Sequence, residues 1–411
     1  MADEATAVRI IEGVQVWSGE AGAGLTEPDT AIRIEGGRIA QVGERDSAAR
    51  GSRNSHFIYE NAFAVPGLID AHVHMGVDPH RSVAAQAEIP PDERLRDMRA
   101  RALAMIRCGI TTARDLGGGD GAEIDLRDSI ARGEVPGPRL LCAGQPVTTP
   151  GGHCHFWGGA AANLDEGRAV IDRQVARGVD WIKIMATGGV ATKGTAPSGV
   201  QFDASEIAEL VAHAAHRGRR VAAHCHGTQG IANAATGGVR TIEHCSFAGG
   251  SGFGGDYSQD VVDTIAASGA WVSPTVNAGW GRRIEKEEGG AHTEFFDRMS
   301  RVHHELVRAG VPMVASTDAG IPGVLHHRLA EGLVAFARYA GFDAEEVLRT
   351  ATSDAALALG LDGETGKLVP GASADVLILE KNPLEDPAAL LRPLGVFVRG
   401  KHFTPLSASE R

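Results

Sequence analysis

Pro66-Gly67-Leu68-Ile69-Asp70-Ala71-His72-Val73-His74-Met75-Gly76 is the stretch that decides the fold. It continues an apolar run, Ala62 to Ile69, and ends in two histidines one residue apart. In an extended strand, residues i and i+2 point to the same side. His72 and His74 therefore aim at one point from the end of what reads as a buried strand. Neutral imidazole is the commonest protein ligand for a metal. A bare His-x-His is more often two solvated histidines at a strand end. Here Asp70, the Pro-Gly entry and the glycine exit accompany the pair. A metal site would draw its remaining ligands from the ends of later strands.

Such strands follow. From Phe63 onward, apolar runs alternate with helix-length amphipathic segments. The strand candidates are Phe63–Ile69, Ile110–Ala113, Arg139–Cys142, Trp181–Met185, Arg220–His224, Arg240–His244, Trp271–Pro274 and Met313–Ser316. Between them lie helix candidates Glu93–Arg107, Glu123–Arg132, Asp165–Arg177, Ala204–Arg217, Gly227–Ala235, Gln259–Ser268 and Thr293–Ala309. Eight strands alternating with helices predict an α/β fold, a (β/α)8 TIM barrel. A doubly wound sheet would place a glycine-rich nucleotide turn after its first strand, where His-Val-His stands instead.

The flanks have a different texture. Val8 to Val16, Ala31 to Ile34, Arg38 to Val42 and Phe57 to Tyr59 read as short strands with no helix between them, and Gly36-Gly37 signals a hairpin. Two further helices, His326–Ala340 and Ala344–Leu359, precede a return to strands at Val376–Leu379 and Val396–Arg399, with a short surface helix at Asp386–Leu391. The simplest assembly is a small discontinuous β-sandwich domain, residues 1–62 and 363–411, into which a barrel of residues 63–362 is inserted.

The 411-residue chain has a formal charge of -12 and no Lys/Arg-rich run, which argues against a nucleic-acid or anionic-membrane surface. No apolar run is long enough to span a bilayer. The start, Met1-Ala2-Asp3-Glu4-Ala5, is acidic and has no apolar signal core, so a cytoplasmic protein is expected. Five scattered cysteines fit reduced thiols better than a disulfide framework. Cys225 and Cys245 lie beside histidines, yet no Cys-x-x-Cys pair supports a zinc-thiolate site.

A barrel carries its active site at the C-terminal ends of its strands. Strand 1 ends in His72 and His74, and strand 4 holds Lys183 before Ala186-Thr187-Gly188-Gly189. Strand 5 ends His224-Cys225-His226, strand 6 ends Glu243-His244, and strand 8 ends Thr317-Asp318-Ala319-Gly320. Each has an ordinary reading. Lys183 could pair with Asp180 or Glu243, Glu243-His244 could be an exposed ion pair, and Asp318 could cap the next helix. His224 and His226 could be polar strand caps. Coincidence at five strand ends is harder to accept than one shared site.

The pattern resembles the metal-dependent amidohydrolase superfamily over nearly the whole chain. The matching pieces are Pro66–His74, Lys183, His224, His244, Asp318 and the closing Gly366–Leu379 segment. The resemblance implies two divalent metal ions, expected to be Zn2+. His72, His74 and Asp318 would bind the first, and His224 and His244 the second. Lys183, bearing a CO2-derived carboxylate, would bridge them. His226 is assigned a substrate-facing role. The nearest likeness is to the imidazolonepropionase-like and prolidase-like branch, carried by Lys-Ile-Met-Ala-Thr-Gly-Gly (183–189), His-Cys-His-Gly-Thr (224–228), Ile-Glu-His (242–244) and Gly-Gly-His-Cys-His-Phe-Trp-Gly-Gly (151–159). Lys183 argues against imidazolonepropionase itself.

The implied activity is hydrolysis of a carboxamide C–N bond of a peptide-like or N-acyl amino acid substrate by metal-activated hydroxide. Asp318 would serve as general base and then acid. Peptide trimming in natural-product biosynthesis, urea, carbamate or phosphotriester hydrolysis, and a non-catalytic structural relative are the alternatives. The loop at 151–159 offers His153, His155 and Trp157 as substrate contacts. It has few cations for a polyanion, and only Arg114 stands at a strand end, with Asp115 beside it to neutralise it. The expected partner is a small molecule or peptide, and the expected assembly a homo-oligomer.

Overall fold

The apolar run Phe63–Ile69 does not form one strand, because Gly67 divides it. β4 (His56–Pro66) ends before Gly67 and β5 (Leu68–Val73) begins after it. The Gly67 amide donates to the Asp375 carbonyl at 2.9 Å, while Leu68 turns to the Gly109 carbonyl at 2.9 Å. The chain passes here from one sheet to another. A Cβ at Gly67 would lie 2.3 Å from both Oγ1 and Cγ2 of Thr111, so glycine is required by close approach.

This computed structural model describes residues 8–44, 55–288, 293–407 and 409–410, and the acidic start at Met1–Ala5 lies outside them. Before the break come β1 (Val8–Val16), β2 (Thr30–Glu35) and β3 (Arg38–Gly43). After the helices come β12 (Val376–Leu379), β13 (Pro393–Val398) and β14 (Lys401–Phe403). They join in one seven-stranded sheet ordered β14-β13-β12-β4-β1-β2-β3, so the two ends of the chain share a sheet. Gly36 and Gly37, at φ 55° and 78°, make the β2–β3 hairpin, as the sequence suggests. β4 continues past residue 62 and pairs with β12 up to Pro66 opposite Val376.

The middle of the chain alternates strand and helix. Its order is β5, α1 (Pro91–Arg107), β6 (Ile110–Asp115), α2 (Ala122–Ala131), β7 (Arg139–Cys142), α3 (Leu164–Ala176), β8 (Trp181–Met185) and α4 (Ala204–His216). Then come β9 (Arg220–Gly227), α5 (Thr228–Thr236), β10 (Thr241–Ala248), α6 (Gln259–Ser268), β11 (Trp271–Ser273), α7 (Ala278–Glu288) and α8 (Glu294–Arg308). Helix starts follow local chemistry. Asn163 caps α3, and Asp203 with Glu206 forms a capping box on α4. α8 turns Met299, Val302, His303 and Leu306 inward at helical spacing.

β5-β6-β7 form one parallel sheet and β8-β9-β10-β11 another. Val147, just after β7, bridges to β8 through its amide to the Lys183 carbonyl at 2.8 Å. The expected eighth strand, Met313–Ser316, is not a regular ladder. Val314 donates to the Val272 carbonyl at 2.9 Å, and Ala71 donates to the Ala315 carbonyl at 3.1 Å, so the segment lies between β11 and β5. Its pairing is sparse because Pro312 has no amide and Ala315 donates instead to the Thr350 carbonyl.

The same bonds explain the helices that follow, α9 (Leu329–Ala340), α10 (Ala344–Thr350) and α11 (Ser353–Leu359). Sequence periodicity predicts one helix over 344–359. It breaks because Ala315 takes the Thr350 carbonyl at 2.9 Å and Ile69 takes the Ala351 carbonyl at 2.7 Å. Among the described residues no helix is long and apolar enough to cross a membrane.

Gly67→Ala should lower the thermal unfolding midpoint, since an extra methyl in a packed interior costs about 1–3 kcal/mol. Calorimetry that finds an unchanged midpoint would show that Thr111 yields freely and that the close approach is not a constraint.

Candidate metal centre

The end of β5 and the turn after the eighth segment bring three donors together. His72 Nε2 and His74 Nε2 are 3.3 Å apart, and Asp318 Oδ1 is 3.4 Å from the first and 3.3 Å from the second. Donors about 2.0–2.1 Å from a tetrahedral metal are about 3.3–3.4 Å from one another, so this cluster already has the spacing of a ligand triad. The far nitrogens are held. His74 Nδ1 donates to the Gly117 carbonyl at 2.8 Å, and His72 Nδ1 meets Glu243 Oε2 at 2.9 Å. Such bonds fix the tautomer and leave Nε2 as the free donor. Asp318 sits at φ 60°, with its amide donating to the His72 carbonyl at 2.9 Å. It caps no helix, since the next one starts at Leu329.

The ends of β9 and β10 supply a second cluster, His224, His226 and His244. Their ring centroids are 4.5–4.7 Å apart pairwise. His224 Nε2 donates to the Gly188 carbonyl at 3.1 Å, which leaves Nδ1 free. His244 Nδ1 meets Thr275 Oγ1 at 3.0 Å, which leaves Nε2. His244 and Thr275 both have left-handed backbones, at φ 68° and 56°. A β-branched residue there is strained, and such strain gathers at sites that need an exact side-chain aim. His226 Nδ1 meets Ser246 Oγ at 2.8 Å, and its ring stacks between His244 and Phe253.

Lys183 lies in the middle of β8, 1% exposed, and its Nζ has no hydrogen-bond partner. Neither partner allowed by the sequence takes it. Asp180 binds Arg127 at 2.7 Å, and Glu243 binds Arg114. Burial, with Arg114 adding to it, pulls the amine down to about 8. Burial also holds the imidazoles neutral, His224 and His244 well below the usual range and His226 near 3. Burial alone would raise Asp318, but His72, His74 and Lys183 hold it below the usual carboxylate range.

The sequence places Arg114 at a strand end and offers an exposed ion pair with His244 only as the ordinary reading of Glu243. Both are buried and fully unexposed, and they belong to the site's support. Arg114 Nη2 donates to Glu243 Oε1 at 2.8 Å, its Nε donates to the Ala71 carbonyl at 2.8 Å, and its plane covers Trp181 at 4.5 Å. Asp115 does not neutralise Arg114, because its oxygens accept from the amides of Met75 at 2.6 Å and Gly117 at 2.8 Å. Asp70 similarly takes the Thr317 amide and hydroxyl, tying β5 to the turn that carries Asp318. The available signal was the one that singled out Lys183, a charged residue inside an apolar strand.

The 151–159 loop folds over the clusters. His153 is buried, its ring 4.4 Å from that of His224, and Gly189 makes room for it. Burial, then Lys183, pulls His153 down to about 4, so it is neutral near pH 7. Trp157 lies 5.4 Å from the His74 ring, while His155 is exposed. Every site residue expected from the sequence lines one cavity of about 1220 Å3: His72, His74, His153, His155, Trp157, Lys183, His224, His226, His244 and Asp318.

The profile of the Amidohydrolase family matches residues 63–402. The chain belongs to the amidohydrolase family. Ochratoxinase of Aspergillus niger is 28% identical over 432 aligned positions, covering 96% of this chain and 85% of that protein. An uncharacterized protein of Mycobacterium tuberculosis is 30% identical over 360, covering 85% and 87%. A crystal structure of a prolidase complexed with N-methylphosphonate-L-proline superposes with a TM-score of 0.82 at 25% identity, covering 97% of this chain and all of that one. This amidohydrolase-family chain, of the prolidase-like branch, is a hydrolase acting on C–N bonds.

Glu243→Gln should uncouple the support from the ligands. Removing one partner of a buried pair costs about 3–5 kcal/mol, and disturbing the group behind a ligating histidine weakens metal binding by about 10–100-fold. Thermal unfolding and metal retention against a chelator measure both. Wild-type values for the two would remove Glu243 from the site.

Proposed function

We infer that this enzyme is a binuclear metal-dependent hydrolase that cleaves a carboxamide C–N bond in a peptide-like or N-acyl amino acid substrate. The observation that carries the reading is Lys183, a buried amine without a partner. It acts electrostatically on His72 of the first cluster and on His224 and His244 of the second. A carboxylate formed on it from CO2 would remove a charge that burial disfavours and supply two oxygens to bridge the clusters. His72, His74 and Asp318 would hold one divalent ion, and His224 and His244 the other, with zinc suited to these imidazole and carboxylate donors. Such ions, when bound, lower the pKa of water toward neutrality and polarise a carbonyl.

The rest is done by this chain's own groups. Asp318 takes the proton of the attacking water on its carboxylate and passes it to the leaving nitrogen, so the amine departs neutral. His153, neutral and buried beside His224, donates an N–H toward the carbonyl oxygen. Trp157 forms an apolar wall, His155 stands at the rim, and His226 faces the substrate while Ser246 holds its Nδ1. The names of the relatives, an ochratoxinase and a prolidase, favour an amide over a phosphotriester. The reading also takes residues 63–362 as one closed (β/α)8 barrel and residues 1–62 with 363–411 as a discontinuous sandwich domain. It places a homo-oligomer in the cytoplasm, and the five buried free cysteines support that compartment.

Lys183→Ala should lose activity and at least one of two bound ions, and bicarbonate with a short carboxylic acid should restore part of both. Full metal content and full activity in that variant would end the bridging role.

Asp318→Asn should keep the fold and reduce turnover by at least ~10²-fold, the lower range for removing a general base. Near-normal turnover would move the base elsewhere. Turnover of phosphotriesters, with none of any amide, would overturn the substrate class.

A further inference from the structure

Below Trp157 the cavity wall is made by the loop between β6 and α2. Gly118 and Gly119 leave a niche there. A Cβ at Gly119 would lie 3.4 Å from Trp157 Cδ1, and one at Gly118 would lie 3.3 Å from Glu123 Oε2. Glu123, in the first turn of α2, lines the cavity and is 1% exposed. Its Oε1 has no hydrogen-bond partner.

The donors around it are committed elsewhere. Arg94 pairs with the Asp120 carboxylate, and Arg177 Nη2 donates to the Asp120 carbonyl at 2.6 Å. Gln145 Nε2 donates to the Gly119 carbonyl at 2.7 Å, and its Oε1 accepts from Gln174 at 3.1 Å. Behind Glu123 lies Asp115, whose oxygens are taken by backbone amides. The Glu123 carboxyl therefore meets the niche through Oε2, which lies against Gly118, while its buried Oε1 has no partner, among carboxylates and beside an indole. An anionic group would be repelled there. A neutral donor would satisfy the oxygen but not the charge, whereas an ammonium satisfies both.

We propose that Glu123 is a specificity-determining contact that seats a primary ammonium of the substrate in the niche between Gly118, Gly119 and Trp157. The proposal rests on the amide-hydrolase reading above and narrows it to substrates that carry a cationic side chain or a free amine. Burial, with Asp115 and Asp120 adding to it, pushes the Glu123 acid up to about 8. An arriving ammonium therefore displaces a proton, and binding releases it to the buffer.

Matched dipeptides and N-acyl amino acids bearing lysine or norleucine, on either side of the scissile bond, test this in the metal-loaded enzyme. The lysine member should be favoured by at least tenfold in kcat/KM in one placement, and Glu123→Gln should bring that ratio close to one. Equal rates for lysine and norleucine in both placements, or a preference kept in Glu123→Gln, would overturn the proposal. A second measurement needs no turnover. In calorimetric titration, n-butylammonium should bind the wild-type holoenzyme at least tenfold more tightly than 1-butanol does, with proton release. Glu123→Gln should lose that difference. Butylammonium binding no better than the alcohol, or equally well to both proteins, sinks the ammonium site. If no amide in the set is hydrolysed while the titration succeeds, the parent reading fails and the niche stands.

Discussion

The pairing of Arg114 with Glu243 inside the strands is the interaction on which the site depends. Two opposite charges at zero exposure are tolerable only as partners, and each has further bonds to hold it in place. Glu243 spends its other oxygen on His72 Nδ1. A guanidinium from β6 thus orients, through a carboxylate on β10, an imidazole on β5. This chain spans the interior and links strands 129 positions apart in sequence. His72 cannot rotate without leaving the buried Glu243 Oε2 without its partner, and its Nε2 meets His74 and Asp318 at ligand spacing.

The second determinant is backbone strain held in place by hydrogen bonds. Asp318, His244 and Thr275 all occupy left-handed conformations that disfavour side chains. Each is fixed from outside. Asp70 grips Thr317, Ser316 Oγ accepts the Thr275 amide at 2.9 Å, and Thr275 in turn meets His244. A relaxed strand would send these side chains alternately up and down. The strained turns point them at one another instead. The eighth segment is irregular for a different reason, because Pro312 has no amide and Ala315 donates to the Thr350 carbonyl rather than to a ladder.

Above this hydrogen-bonded floor the cavity is shaped by side chains that are absent as much as by those present. Gly189 makes way for the His153 ring, and Gly118 and Gly119 open the niche beside Trp157. The strands that carry the two histidine clusters and the loop at 151–159 are thus separate parts of one cavity. A hydrolase family can keep the first and vary the second.

Much of this was legible in the sequence, because it rests on local rules. The period-2 geometry of a strand put His72 and His74 on one side, and the alternation of strand and helix announced parallel sheets with their functional ends together. Lys183 announced itself as a charge in an apolar run. Helix limits agreed to within a few residues where caps define them, as at Asp203. Only the tertiary structure decided what depends on contacts between distant residues. The pairing of Arg114 with Glu243 is not visible until the strands that carry them are packed together. The apolar run at 63–69 and the helical run at 344–359 read as single elements. They are divided because Thr111 crowds Gly67 and because Ala315 and Ile69 capture the carbonyls of Thr350 and Ala351. Periodicity records which face of an element is buried, but it does not record which distant amide will claim a carbonyl, and those claims set the breaks and the aim of the site.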